Sequence, residues 1–590
     1  MTALRVAFTA LLLGFLPLAP AAAQDFGSVA PHQPAAPAQA AAPQPRAAVP
    51  AAVPPAQNVE LIGHLKGLTL EPSIDRINRN GVVTAGVVIE VPFAEDPELR
   101  EILQTFIGRP LYTADLTAIA RIVTDHYRAH NRPVVEVSFP EQDVSTGVVQ
   151  AVVTESRVGR VRFSGNYYFG KGLLASELGM RRGDPVDFGV LGAGLNVLNR
   201  NPFRAVNVVL QKSDQAGATD LAFTVDERLP LRLYASFDNT GVAITGRDRY
   251  SAGFNWGNVL GLDQQLSYQF ITSPDLWRER DRGPGLSSAP RFIAHSVNYV
   301  APLPWGDLFN LFGSYVTQVP DLGPDFGQTG HSLQFGARYQ MPLRGSSRFT
   351  QQLQLGFDYK RADNNLAFGG TGIFASATDT EQFLLIYDGT LDDALGQTGI
   401  ESTLVYSPGG LSAGNSTAVF QASGVTGAHA SYLYGNLRLT RLVFLPWHLS
   451  LVARVDGQFA STELLPSEQL GAGGIDSVRG YEERAANGSD GYLASLELRG
   501  PTIAPLHDLG LSAADQLQPL AFWDYGNVSF KNAQASGPRA AELQSVGVGA
   551  RYSVGRYLDV RFDYGWQIEK LPVSGAGLGN LATVSVTLGY

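Results

Sequence analysis

Four groups of residues in this 590-residue sequence have types and spacings that could do chemistry. Gly410-Leu411-Ser412-Ala413-Gly414 matches the G-x-S-x-G pattern, in which a strand–turn–helix holds a serine up as a nucleophile. Here the pentapeptide stands in a Gly/Ser/Ala loop without that context, so no enzyme is expected. His126 and His130, with Asp125 beside them, are one helical turn apart and could share a metal ion on one face. No H-E-x-x-H pattern accompanies them, and a solvated helix end is the favoured reading. The third group is a long glycine-rich loop, Leu465 to Tyr481, with one arginine, Arg479, at a tight turn. The fourth is Phe522-Trp523-Asp524-Tyr525-Gly526, where an acid stands between aromatics on a strand. A guanidinium and a carboxylate brought out of water together form the strongest kind of side-chain pair. There is no cysteine, hence no disulfide, thiolate metal site or cysteine nucleophile. Walker and G-x-G-x-x-G motifs are also absent, so no cofactor is expected.

The elements that must position these residues change character along the chain. Arg5, the apolar run Val6–Leu18 and Ala21-Ala22-Ala23 read as a secretory signal, residues 1–23, with the mature chain starting near Gln24. Residues 24–57 are rich in Ala, Pro and Gln and read as a flexible tether. Two small α+β units follow, at 58–155 and 156–228. In the first, Thr113 looks like the cap of a helix with Leu116, Ile119, Ile122, Val123 and Tyr127 on one face. Asn131 and Pro133 stop that helix, and strands follow at Val134–Phe139 and Val148–Thr154. The second has strand Val158–Phe163, helical stretches Lys171–Met180 and Val186–Asn199, and strands Ala205–Gln211 and Thr219–Val225.

From 229 to 590 the helical signal gives way to period-two alternation. Leu333, Phe335, Ala337, Tyr339 and Met341 alternate with Gln334, Gly336, Arg338 and Gln340, and comparable runs recur to Ala582, Val584, Val586, Leu588 and Tyr590. A soluble sandwich would alternate too, but this stretch is too long for one, and its aromatics gather near strand ends. It predicts a transmembrane β-barrel of roughly 14–18 strands with outer-membrane lipid on its apolar face. A barrel that wide encloses a lumen. The net charge of −10 argues against nucleic acid as a partner.

Val478-Arg479-Gly480-Tyr481 resembles the V-R-G-Y/F signature in the sixth extracellular loop of the Omp85 superfamily, and Phe522-x-Asp524-x-Gly526 resembles its companion strand motif. The run Leu465-Pro466-x-Glu468-Gln469 through Gly473-Gly474 to Asp476-Ser477-Val478-Arg479 is most similar to the TpsB transporters of two-partner secretion, the haemolysin and filamentous-haemagglutinin secretion proteins. Asn199-x-Asn201-Pro202 resembles that family's N-x-N-P stretch. The resemblance spans the whole mature chain. It implies a 16-stranded outer-membrane barrel, two POTRA-like periplasmic domains, and a loop folded into the lumen so that Arg479 meets Asp524. It also implies a large secreted β-helical exoprotein, adhesin or cytolysin, as partner. Relatives carry an N-terminal plug helix, for which the prolines at 31, 34, 37, 43, 45, 50, 54 and 55 are unsuited. A barrel-assembly factor of the same superfamily is the alternative; it would normally have more than two POTRA-like domains.

Overall fold

The computed structural model describes residues 26–34, 58–277, 289–323, 326–343, 345–346, 348–368, 371–512, 514–532, 538–571 and 578–590. The expected signal, 1–23, lies outside them. The described residues form two compact units, one of 26–34 with most of 231–590 and one around 58–230.

In the smaller unit a four-stranded mixed sheet runs in the order Gly86–Ile89, Gly67–Glu71, Val148–Glu155, Val135–Ser138. Helices Pro97–Gln104 and Thr113–Ala129 cover it, and Ile119, Val123 and Tyr127 are fully buried in its core. The cap of the longer helix differs from expectation. Tyr112 N donates to Asp115 Oδ2 at 2.8 Å, while Thr113 Oγ1 accepts from Val59 N. An aspartate in the first turn can meet the helix's free amides as well as a threonine at its start. Asn131, with φ of 63°, ends the helix in the left-handed region that asparagine tolerates.

A second sheet orders Arg157–Ser164, Ala218–Glu227 and Arg204–Lys212, with helices Lys171–Glu177 and Phe188–Leu198 against it. Asp187 caps the latter, accepting from Gly189 N at 2.8 Å and Val190 N at 3.1 Å. The Asn199 side chain donates to Val206 O at 3.0 Å and accepts from Val206 N at 2.6 Å, joining helix end to strand start. Asp220 accepts from Arg160 N at 2.8 Å and Nε at 2.9 Å; a Cβ at Gly159 would stand 2.2 Å from its Oδ1. The Arg160 backbone N–H, then a serine hydroxyl and the Arg160 guanidinium, hold its carboxyl down to about 2. That lies below the value of about 4 expected in the unfolded chain. The stabilisation is therefore complete above pH about 4 and lost as pH falls through about 2. Asp220→Asn is expected to lower this unit's thermal midpoint at neutral pH. The gap from the parent closes as pH falls from about 4 to about 2 in a series of melting curves.

The larger unit is a closed antiparallel barrel of sixteen strands, from Leu231–Asp238 to Asn580–Gly589. The last strand pairs with the first, from Tyr234 opposite Gly589 to Asp238 opposite Ser585. Closure leaves no free edge, which a bilayer requires. The faces sort as the alternation predicts. Leu333 and Phe335 are exposed on the outer wall, while Gln334, Arg338 and Asp358 are buried on the inner side. There Arg338 donates to both oxygens of Asp358, at 2.6 and 2.9 Å.

The reading of 24–57 as tether needs correction for its described part. Residues 26–34 lie against the inner wall of the barrel, with Phe26–Val29 as one helical turn. Phe26 N donates to Gln334 Oε1 at 2.8 Å, and the rings of Phe26 and Phe312 are 4.5 Å apart. Val29 is buried with Ile271, Phe292, Ala294 and Val316. Its carbonyl accepts from Ser296 Oγ, and His32 N donates to the Tyr234 hydroxyl. Two apolar side chains ahead of the first proline, met by amides and hydroxyls of the lumen, outweigh the average composition of the segment.

Candidate functional site

The connection between strands Ser450–Ala460 and Asp490–Arg499 carries the glycine-rich run. It turns into the lumen and forms a short hairpin, Leu470–Ala472 with Ala486–Gly488. Arg479 is 5% exposed and Asp524 fully buried, so each has left water and needs its partner. Arg479 Nε donates to Asp524 Oδ2 at 2.8 Å and Nη2 to Oδ1 at 2.9 Å, a two-pronged pair, and the Arg479 backbone N adds a third bond at 3.1 Å.

Neighbouring residues of both motifs act in the same contact. Phe522 lies flat beneath the guanidinium, whose carbon is 3.6 Å from the ring centroid. Gly526 leaves room for Val478, since a Cβ there would come within 2.9 Å of Val478 Cγ2. Gly480 has a φ of 93° and packs backbone to backbone on Gly565, while Gln567 Nε2 donates to its carbonyl at 2.7 Å. Tyr481, buried, donates its hydroxyl to backbone carbonyls of Gln544 and Glu569. All seven residues singled out in the two motifs thus meet in one contact between loop and wall.

The rest of the network carries no motif. Arg479 Nη1 donates to Glu497 Oε2 at 2.7 Å and lies 3.4 Å from Asp563 Oδ1. Ser495 Oγ donates to Asp524 Oδ1 at 2.6 Å. Arg499 pairs with Glu497 at 2.7 Å; Arg551 and Arg561 pair with Asp563 at 3.0 and 2.9 Å. Arg561 also reaches back to Asp476 of the loop at 2.6 Å. The signs alternate, so no buried charge stands alone. Period-two placement of Glu497 and Asp563 on inward faces was the available signal, but many lumen acids share it.

A second anchor holds the loop to another arc of the wall. Glu468, almost fully buried, accepts from Lys360 Nζ at 3.0 Å and from the Tyr434 hydroxyl at 2.9 Å. Gln382 Nε2 donates to it as well. Glu468→Ala is expected to remove the carboxylate that Lys360 Nζ and the Tyr434 hydroxyl bond and to loosen this end of the loop, while the Arg479 contact persists. Faster cleavage between 461 and 472 by added protease, with 478–481 still protected, is the result that checks this.

The other candidate groups fall elsewhere. Ser412 donates to the Asp379 carboxylate at 3.0 Å, with no imidazole between them to act as a base. Asp125 pairs with Arg121 and Arg128, and the carboxylate that approaches His126 and His130 is Asp96.

A closed barrel whose lumen holds an inward loop with an arginine docked on a wall aspartate, in a chain with two α+β units, defines the class: an outer-membrane protein of the Omp85 superfamily with periplasmic POTRA domains. The family model described as haemolysin secretion/activation protein ShlB/FhaC/HecB matches residues 217–552, and the chain belongs to that family of two-partner secretion transporters. A second model, POTRA domain, ShlB-type, matches residues 80–156. The chain is 25% identical over 482 residues to the heme/hemopexin transporter protein HuxB of Haemophilus influenzae (strain 86-028NP), covering 77% of this chain and 78% of that one. It is 24% identical over 438 residues to the outer membrane transporter CdiB-2 of Burkholderia pseudomallei (strain 1026b), covering 73% and 70%. Among solved structures, CdiB from Escherichia coli shares the fold with a TM-score of 0.72 at 16% identity, over 92% of this chain and 94% of that one.

Proposed function

We propose that this transporter captures one large secreted partner in the periplasm and passes it, unfolded, through the lumen beside or past the loop that carries Arg479. The partner is a β-helical exoprotein, an adhesin or cytolysin, and its folding outside the cell keeps it from slipping back. The observation that carries the reading is the way the loop is held. A few polar side chains anchor it at Arg479 and Glu468, so the lumen can be cleared or narrowed without unfolding the wall. Capture needs affinity without much sequence preference, which an exposed strand edge supplies through backbone pairing. Strand Arg204–Lys212 is such an edge. Asn199 occupies the outer backbone groups of Val206, and period two turns those of Val208 and Leu210 the same way. The chain has no cysteine, so a photo-crosslinker can be placed at Gln211→Cys alone. Capture of the exoprotein there during export, and none at Arg76→Cys, supports the reading; equal labelling at both sites rejects this edge.

A further inference from the structure

Transport makes no use of a cluster in the first α+β unit, where two helices bring Asp96, His126 and His130 together. One donor atom from each lies within 4.8 Å of the other two. Asp96 precedes helix Pro97–Gln104, and the histidines stand one turn apart at the end of helix Thr113–Ala129. Asp96 and His130 are already oriented by the backbone. Asp96 Oδ1 accepts from Glu98 N at 2.8 Å and Leu99 N at 3.2 Å, which fixes the carboxylate while Oδ2 stays available. His130 Nδ1 lies 2.8 Å from the His126 carbonyl; with that nitrogen as donor, Nε2 keeps its lone pair. An imidazole tied through one nitrogen to a carbonyl, with the other free, is how metal-binding histidines are held. The imidazole centroids are 4.4 Å apart, and Phe93 flanks both rings. Of the neighbouring acids, Glu95 pairs with Arg100, and Asp125 with Arg121 and Arg128.

We propose that Asp96, His126 and His130 form a binding site for a transition-metal dication of the Zn2+ or Ni2+ kind. Two imidazoles with one carboxylate suit such ions, whereas Mg2+ and Ca2+ prefer all-oxygen sets. Three protein ligands leave a coordination position for water or for a group on a bound partner. Joining the two helices by a metal also braces the unit, since binding to the folded form alone stabilises it.

The test uses the untagged mature chain in detergent, titrated with ZnCl2 by calorimetry and with Co2+ by visible absorption. One site is expected, weakened about tenfold or more in Asp96→Asn and His130→Gln, with Asp125→Asn unchanged. Asparagine still caps the helix, and His130 is exposed, so these variants keep the fold; circular dichroism checks this. Failure of the parent to bind, or equal binding by His130→Gln through others of the nine histidines, overturns the proposal.

Discussion

Arg479→Ala is expected to reduce export of the partner protein to a small residue while the barrel still inserts in the outer membrane. The substitution strands Asp524, fully buried, without the guanidinium that bonds it at 2.8 and 2.9 Å, and leaves Glu497 with Arg499 alone of the two cations that bond it at 2.7 Å. Breaking a buried pair in this way costs about 3–5 kcal/mol, so the docked loop falls by a factor of about a hundred or more relative to the released one. The sixteen-strand ladder is untouched, because none of its backbone pairs involves Arg479. Exoprotein in the medium, measured beside the amount of heat-modifiable barrel in the membrane, separates lost export from lost assembly. Arg479→Lys keeps a charge but not the fork, and an intermediate level is expected.

Gly565→Ala tests the same docking by shape. A Cβ at 565 would stand 2.6 Å from Gly480 N, 2.7 Å from Gly480 Cα and 2.9 Å from the Arg479 carbonyl carbon. All three are backbone atoms, and Gly480 already holds a φ of 93°, so no side chain can swing aside. One methyl group is therefore expected to displace the loop tip and to lower export as far as Arg479→Ala does. Gly435→Ala is the control within the same barrel, since its Cβ would meet only Thr403 O, at 3.8 Å. Export by Gly565→Ala at the level of Gly435→Ala would show that the loop need not sit on Gly565 at all.

These two substitutions differ in how far the sequence announced them. Arg479 stands out as the one cation in a glycine-rich run with an acid downstream. Gly565 is one glycine among 64, and its role exists only because strand Leu558–Gln567 passes behind the loop tip. The same holds for Glu497 and Asp563, whose alternation says that they face inward but not what they face. The barrel was legible because period two persists whatever the strand lengths. The first α+β unit was less so. Its strands Gly67–Glu71 and Gly86–Ile89 are too short to show a period, and one is buried almost throughout. Asp96 could not be joined to His126 from spacing alone, because only the packing of two helices unites them. At the N-terminus the prolines dominated the reading and concealed Phe26 and Val29, whose burial in the lumen depends on barrel residues hundreds of positions away.

On the proposed function, this chain is the route by which one particular protein leaves the cell. Proteins in the culture medium of the parent strain, of a strain lacking this gene, and of that strain carrying either the intact gene or Arg479→Ala can be compared directly. One high-mass protein is expected to disappear with the gene, return with the intact copy, and stay absent or scarce with Arg479→Ala. An unchanged set of secreted proteins in the deleted strain would contradict that function.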